Sequence, residues 1–194
     1  MVYLAAFIVA SGLTAWLAGG LSPLQLQDVP NERSLHHFPK PRTGGLAIIA
    51  GIVCGWGALH WKGLASPWLL EISVAAVMVA VVSFLDDVFS LSPLVRFPVH
   101  LLAAAWIVAG SGLPLWELAI GVLGLVWMLN LYNFMDGMDG FAGGMSVIGF
   151  SALGLAGWLA GDGVFMSTSL CIAAASAGFL MFNFPPARIF MGDV

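Results

Sequence analysis

Seven stretches of this sequence stay apolar for close to 20 residues: about 2–21, 45–62, 67–85, 96–113, 115–131, 141–160 and 164–182. A run of that length spans the roughly 30 Å hydrocarbon core of a bilayer as an α-helix. In lipid every backbone polar group must find its partner internally, so only helices and closed barrels can cross. These runs are too long and too continuous for tilted barrel strands. The fourth is the weakest, being short and carrying Arg96 and His100 near its start. The expected fold class is therefore all-α, a polytopic membrane helix bundle of about seven transmembrane helices. Residues 1–194 are expected to form a single integral membrane domain.

Composition agrees. Charged residues make up 8% of the chain, against about a quarter in soluble domains. Cys54 and Cys171 both fall inside apolar runs and read as small packed residues, with neither a disulfide nor a metal site indicated. The N-terminus has no basic segment followed by a cleavage-like site, so the first run reads as a retained helix, not a signal peptide. Gly51 with Gly55, and the small-residue segment "CIAAASAG", would let helices approach closely.

Position matters more than the net charge of −4. Arg33, Lys40, Arg42, Arg96 and Arg188 fall in or beside alternate connections, and only Lys62 falls among the others. Basic loops stay cytoplasmic, which puts the N-terminus outside and these loops inside. Asp28, Glu32, Asp86, Asp87, Asp136, Asp139 and Asp193 share that cytoplasmic side, against Glu71, Glu117 and Asp162 opposite. Acidic residues barely influence topology. Their crowding on one face calls for chemistry.

Four segments carry that face, and each has a plainer explanation beside the functional one. "LDDVFSLSP" puts Asp86 and Asp87 where the third helix leaves the membrane. Solvated helix ends can hold carboxylates, but anions at a helix C-terminus oppose its dipole, which points to a nearby cation or to one aspartate acting as a base. "NLYNFMDGMDG" spaces Asn130, Asn133, Asp136 and Asp139 by three, with Gly137 and Gly140 ending the helix in a turn. A capped turn would use such residues. They also offer hard oxygens for Mg²⁺ and partners for ribose or a base edge. "DVPNERSLHHFPKPRTGGLAI" mixes Asp28, Asn31, Arg33, His36, His37, Lys40 and Arg42 with prolines and paired glycines. It suits a phosphate cradle or an anchor for anionic lipid, whereas zinc is not indicated. "FNFPPARIFMGDV" adds a third carboxylate segment through Asp193.

Taken in order, these four motifs resemble the cytoplasmic motifs of the polyprenyl-phosphate N-acetylhexosamine-1-phosphate transferases, of glycosyltransferase family 4 type, over residues 28–193. That family starts O-antigen, enterobacterial common antigen, teichoic acid and peptidoglycan lipid intermediates. The "PRTGG" form is closer to the surface-polysaccharide initiators, such as the undecaprenyl-phosphate GlcNAc-1-phosphate transferases; the "GTPTMGG"-type loop of the muramoyl-pentapeptide transferases is absent.

The resemblance implies a UDP-N-acetylhexosamine donor, undecaprenyl phosphate as acceptor, and Mg²⁺ as cofactor, with Mn²⁺ the alternative. The products would be UMP and a lipid-linked sugar pyrophosphate. It further implies a bacterial inner-membrane location with a cytoplasmic active face, no nucleic-acid partner, and a homodimer as an open option. By motif position, Asn133 and Asp193 would be metal ligands. Asp86 and Asp87 would be catalytic, at the acceptor phosphate and metal. Asn130, Asp136, Asp139, Arg42 and Asn31 would bind substrate, the two aspartates at the ribose and uracil. The family pattern continues past "MGDV" with further helices and a histidine-bearing loop, so this chain is expected to be the N-terminal part of a longer bundle and not to turn over alone. The competing readings are an ion-coupled transporter, which needs carboxylates near the bilayer midplane, and an inactive membrane fragment.

Overall fold

The computed structural model describes residues 1–19, 22, 24, 26–28, 39–64 and 66–193. Among the described residues seven helices follow one another: α1 (Val2–Ala18), α2 (Gly44–Trp61), α3 (Pro67–Phe89), α4 (Pro93–Ala109), α5 (Leu115–Met135), α6 (Phe141–Leu159) and α7 (Gly163–Asn183). Five of them, α2, α3, α5, α6 and α7, are long and apolar enough to cross a membrane, and α1 and α4 are shorter apolar helices. The multi-pass, helical expectation holds. One element was not read from the sequence: a two-residue antiparallel ladder, β1 (Gln27–Asp28) with β2 (Lys40–Pro41), in the connection before α2. Two-residue strands are too short to leave a period-2 signal.

The chain divides into two compact units, Met1–Ala65 with Asp136–Gly192, and Ser66–Met135 with Asp193. In the first, α7 packs against α1, α2 and α6. Lipid is as apolar as leucine, so helices associate in a bilayer through close packing and not through escape from water. Small residues supply that packing here. A Cβ on Gly51 would lie 2.7 Å from the Ala6 carbonyl oxygen and 2.9 Å from the methyls of Ala10 and Ala175. Ala6, Ala10, Ala47, Ala175 and Phe179 form the core of this unit. Gly55 meets Cys171 in the same way, at 2.9 Å from its sulfur. Both cysteines are free thiols, as their surroundings suggested.

In the second unit α3 packs on α4 and α4 on α5. Ser90 ends α3 in the left-handed region (φ 51°), its N–H donating to the Asp86 carbonyl at 2.7 Å. Ser92 then starts α4 by accepting from the Leu94 amide at 3.3 Å, with Pro93 in the first turn. A turn this short leaves the end of α3 facing the start of α4.

Candidate active site

Asp86 and Asp87 lie in the last turn of α3 and are 6% and 4% exposed. Burial of two adjacent carboxylates requires compensation. Arg96, one turn into α4, supplies part of it: its Nη1 pairs with Asp86 Oδ2 and stands 3.6 Å from Asp193 Oδ2. The Asp193 main-chain N–H donates to Asp87 Oδ2 at 3.1 Å. Two carboxylates thus share one guanidinium, and the third, Asp87, is tied to them through the Asp193 amide. The Asp193 carboxyl is pushed up to about 7, first by burial, then by its hydrogen bond to Asp86 and by the charges of Asp87 and Asp86, with Arg96 opposing.

In the first unit the residues after α7 form an extended strap held at nearly every step. Asp139 accepts from the Ala187 N–H at 2.8 Å and from Lys40 Nζ at 3.1 Å, and that ammonium lies 4.9 Å over the Phe190 ring. The Asn183 side chain, fully buried, donates to the Ile189 carbonyl at 3.0 Å. Phe190 N–H donates to the Pro41 carbonyl at 2.8 Å. The first amides of α2 turn onto the same strap, Gly44 N–H to Phe190 O at 3.0 Å and Gly45 N–H to Met191 O at 2.7 Å. These are helix N-terminal donors that would otherwise lack a partner. Asp136, 6% exposed, accepts from Met191 N–H at 3.0 Å and Gly192 N–H at 2.8 Å, one amide on each oxygen.

A family model for "Glycosyl transferase family 4" matches residues 69–194. The chain belongs to glycosyl transferase family 4. It is similar to the "Probable undecaprenyl-phosphate N-acetylglucosaminyl 1-phosphate transferase" of Bacillus subtilis (strain 168), 37% identical over 86% of this chain and 50% of that one. It is also similar to the "Decaprenyl-phosphate N-acetylglucosaminephosphotransferase" of Mycolicibacterium smegmatis, 29% identical over 100% and 55%. A third relative is the "Undecaprenyl-phosphate alpha-N-acetylglucosaminyl 1-phosphate transferase" of Escherichia coli O157:H7, 29% identical over 87% and 50%. The chain spans about half the length of the curated relatives it matches.

For this family 4 chain, the residues singled out from the sequence fall into distinct situations. Asp86, Asp87 and Asp193 come together. Asp136 and Asp139 come together with the strap, through main-chain amides. Asn130 donates its side-chain amide to the Val126 carbonyl of its own helix at 2.8 Å, beside an apolar groove that includes Phe97, Leu101 and Trp127. Asn133 is exposed on the last turns of α5 and, among the described residues, joins none of the carboxylate contacts. Arg42 is half-buried, its main-chain N–H on the Leu26 carbonyl at 2.8 Å. Asn31, Arg33, His36 and His37 lie outside the described residues.

Sequence reasoning treated Arg96 as a marker of membrane side and missed its pairing. The signal was its place one turn into the helix that follows the aspartate pair. The segment that contains "PRTGG" was read as a phosphate cradle or an anchor for anionic lipid; the amides of its paired glycines serve the strap. A side chain at Gly44 would meet the Phe179 ring and come within 2.8 Å of the Phe190 carbonyl.

Among the described residues, no three carboxylate, imidazole or thiol side chains are arranged to ligate a metal ion. The donors nonetheless fit Mg²⁺ chemically. They are hard oxygens, they outnumber the cation beside them, and Mg²⁺ keeps several waters and needs few protein ligands.

Proposed function

We propose that the protein transfers N-acetylhexosamine-1-phosphate from a UDP-sugar to undecaprenyl phosphate at the cytoplasmic face of a bacterial membrane, starting a lipid-linked surface polysaccharide. A phosphate oxygen of the acceptor attacks the phosphorus that carries the sugar. A new P–O–P linkage forms, the bond to the UMP phosphate breaks, and UMP leaves with that bond's electron pair. Two anions must be brought into line, so repulsion and positioning dominate the barrier.

The observation that carries this reading is the gathering of Asp86, Asp87 and Asp193, the last two bonded across 106 positions of sequence. Asp193 and Asp86 or Asp87 are the groups that would hold Mg²⁺, which supplies neutralisation of phosphate charge when bound. Asn133 remains a candidate ligand from its motif position. Asp87 or Asp86 takes any proton left on the acceptor phosphate. Arg96 balances the carboxylates and presents donors suited to phosphate. Arg42, Asn31, Asn130 and Asp139 are proposed from motif position to serve the donor side.

Direct displacement is favoured over an aspartyl-phosphate, because Asp86 is engaged by Arg96 and Asp87 by the Asp193 amide. Asp86 and Asp87 lie at the end of α3, not mid-helix, which supports the transferase over ion-coupled transport. The test uses the product of the complete reading frame, purified and supplied with undecaprenyl phosphate and UDP-N-acetylglucosamine. Mg²⁺-dependent UMP release supports the reading, and its absence with a folded protein removes it.

A further inference from the structure

The two aspartates of "MDGMDG" make the contacts of positioning residues. Both Asp136 oxygens accept from consecutive amides, Met191 and Gly192, at 3.0 and 2.8 Å. Gly192 has φ 81°, a conformation that an L side chain rarely adopts. Successive amides turned to one side by a left-handed residue make a concavity that favours an anion, and here the anion is the chain's own buried carboxylate. The carbonyls of the same stretch are also taken, Phe190 by Gly44 and Met191 by Gly45. Phe190 and Met191 therefore have both amide and carbonyl engaged, and Gly192 its amide. The next residue in the chain is Asp193.

We propose that Asp136 acts on the reaction through the backbone of Met191 and Gly192, and so through the placement of Asp193, without touching the nucleotide. Its carboxylate charge matters because a charge-assisted bond to two amides is stronger than neutral ones. Groups that orient a ligand without contacting the metal commonly change metal affinity roughly 10- to 100-fold when lost. This rests on the functional reading above, in which Asp193 serves the metal.

Asp136→Asn keeps size and one acceptor but sets its NH₂ against one of the two amides. In the product of the complete reading frame, three quantities separate the possibilities. They are Mn²⁺ affinity by electron paramagnetic resonance without substrate, the Mg²⁺ concentration for half-maximal rate, and KM for UDP-N-acetylglucosamine at saturating Mg²⁺. The expected result is a roughly 10-fold or greater weakening of Mn²⁺ binding and of Mg²⁺ activation, with KM within about twofold of wild type. Amide exchange at Met191 and Gly192 should quicken, further in Asp136→Ala.

A raised KM with unchanged Mn²⁺ affinity would overturn the proposal and return Asp136 to direct nucleotide contact. Should Asp136→Ala fail to fold, the milder asparagine variant still decides it. If the wild type itself neither binds Mn²⁺ nor releases UMP, the functional reading fails first and takes the inference with it.

Discussion

The main-chain amide of Asp193 donates to the carboxylate of Asp87 at 3.1 Å. The bond joins the last motif of the chain to the end of α3, and Arg96 links Asp193 to the neighbouring Asp86. Asp87 is 4% exposed, so its charge is held by protein groups and not by bulk water. Replacing it by asparagine keeps the shape and removes the charge. Asp87→Asn should lower UMP release by about 10²- to 10³-fold, on the scale of a lost electrostatic contact in a transition state, while thermal unfolding stays near that of the wild type. A variant within threefold of wild-type rate would exclude Asp87 from the chemistry.

Arg96 stands beside two carboxylates, Asp86 and Asp193. In Arg96→Ala, Asp86 and Asp193 would repel each other in a partly buried setting. Arg96 itself is 31% exposed at its side chain, which moderates the cost to about 1–2 kcal/mol. Millimolar Mg²⁺ should restore part of the lost melting temperature, because a divalent ion can take over the neutralisation. Arg96→Lys should lie between. No response to Mg²⁺ in the alanine variant would mean that the ion binds elsewhere.

The raised Asp193 carboxyl sets a pH dependence. Its folded value of about 7 is above its ordinary one, so the metal-free fold holds the proton more tightly than the unfolded chain does. That contribution to stability is present at acid pH and is lost as the pH climbs from the usual carboxylate range through about 7. Metal binding needs the ionised form. The Mg²⁺ concentration for half-maximal rate should therefore rise about tenfold per pH unit below 7 and level off above it. A flat dependence between pH 5.5 and 7.5 would detach Asp193 from the metal.

Helix packing in the first unit offers a test with an internal control. Gly51 and Gly57 both lie in α2. A Cβ at Gly51 would strike the Ala6 carbonyl at 2.7 Å, whereas one at Gly57 meets nothing within 4 Å. Gly51→Ala should cost about 1–3 kcal/mol of stability through overpacking. Gly57→Ala should be neutral or gain up to about 1 kcal/mol from helix propensity. Equal melting temperatures for the two would contradict the close approach of α1 and α2.

Much of the helical frame was legible because membrane helices declare themselves by unbroken apolar length, and Gly140 stands in the turn where α6 starts. Asp86, Asp87 and Asp193 stood out as carboxylates in a chain that spends few. What they touch was not legible. Asp136 meets Met191 across 55 positions and Asp139 meets Ala187 across 48, and side-chain bonds to an irregular backbone leave no periodic trace. Asn133 was assigned as a ligand from its motif position in the resemblance; it lies exposed near the end of α5, which continues to Met135. The basic, glycine- and proline-rich segment before α2 suggested a phosphate cradle or a lipid anchor; the bonds of Gly44 and Gly45 to the strap depend on residues nearly 150 positions away.

The most direct measurement is UMP release by the product of the complete reading frame, with undecaprenyl phosphate and UDP-N-acetylglucosamine, with and without Mg²⁺, in the wild type and in Asp193→Asn. Release that requires Mg²⁺ and falls by about 10²-fold or more in Asp193→Asn, with folding unchanged, is the expected result. Release that continues in that variant at the wild-type rate and Mg²⁺ requirement would contradict the assignment of Asp193, Asp86 and Asp87 to one catalytic centre.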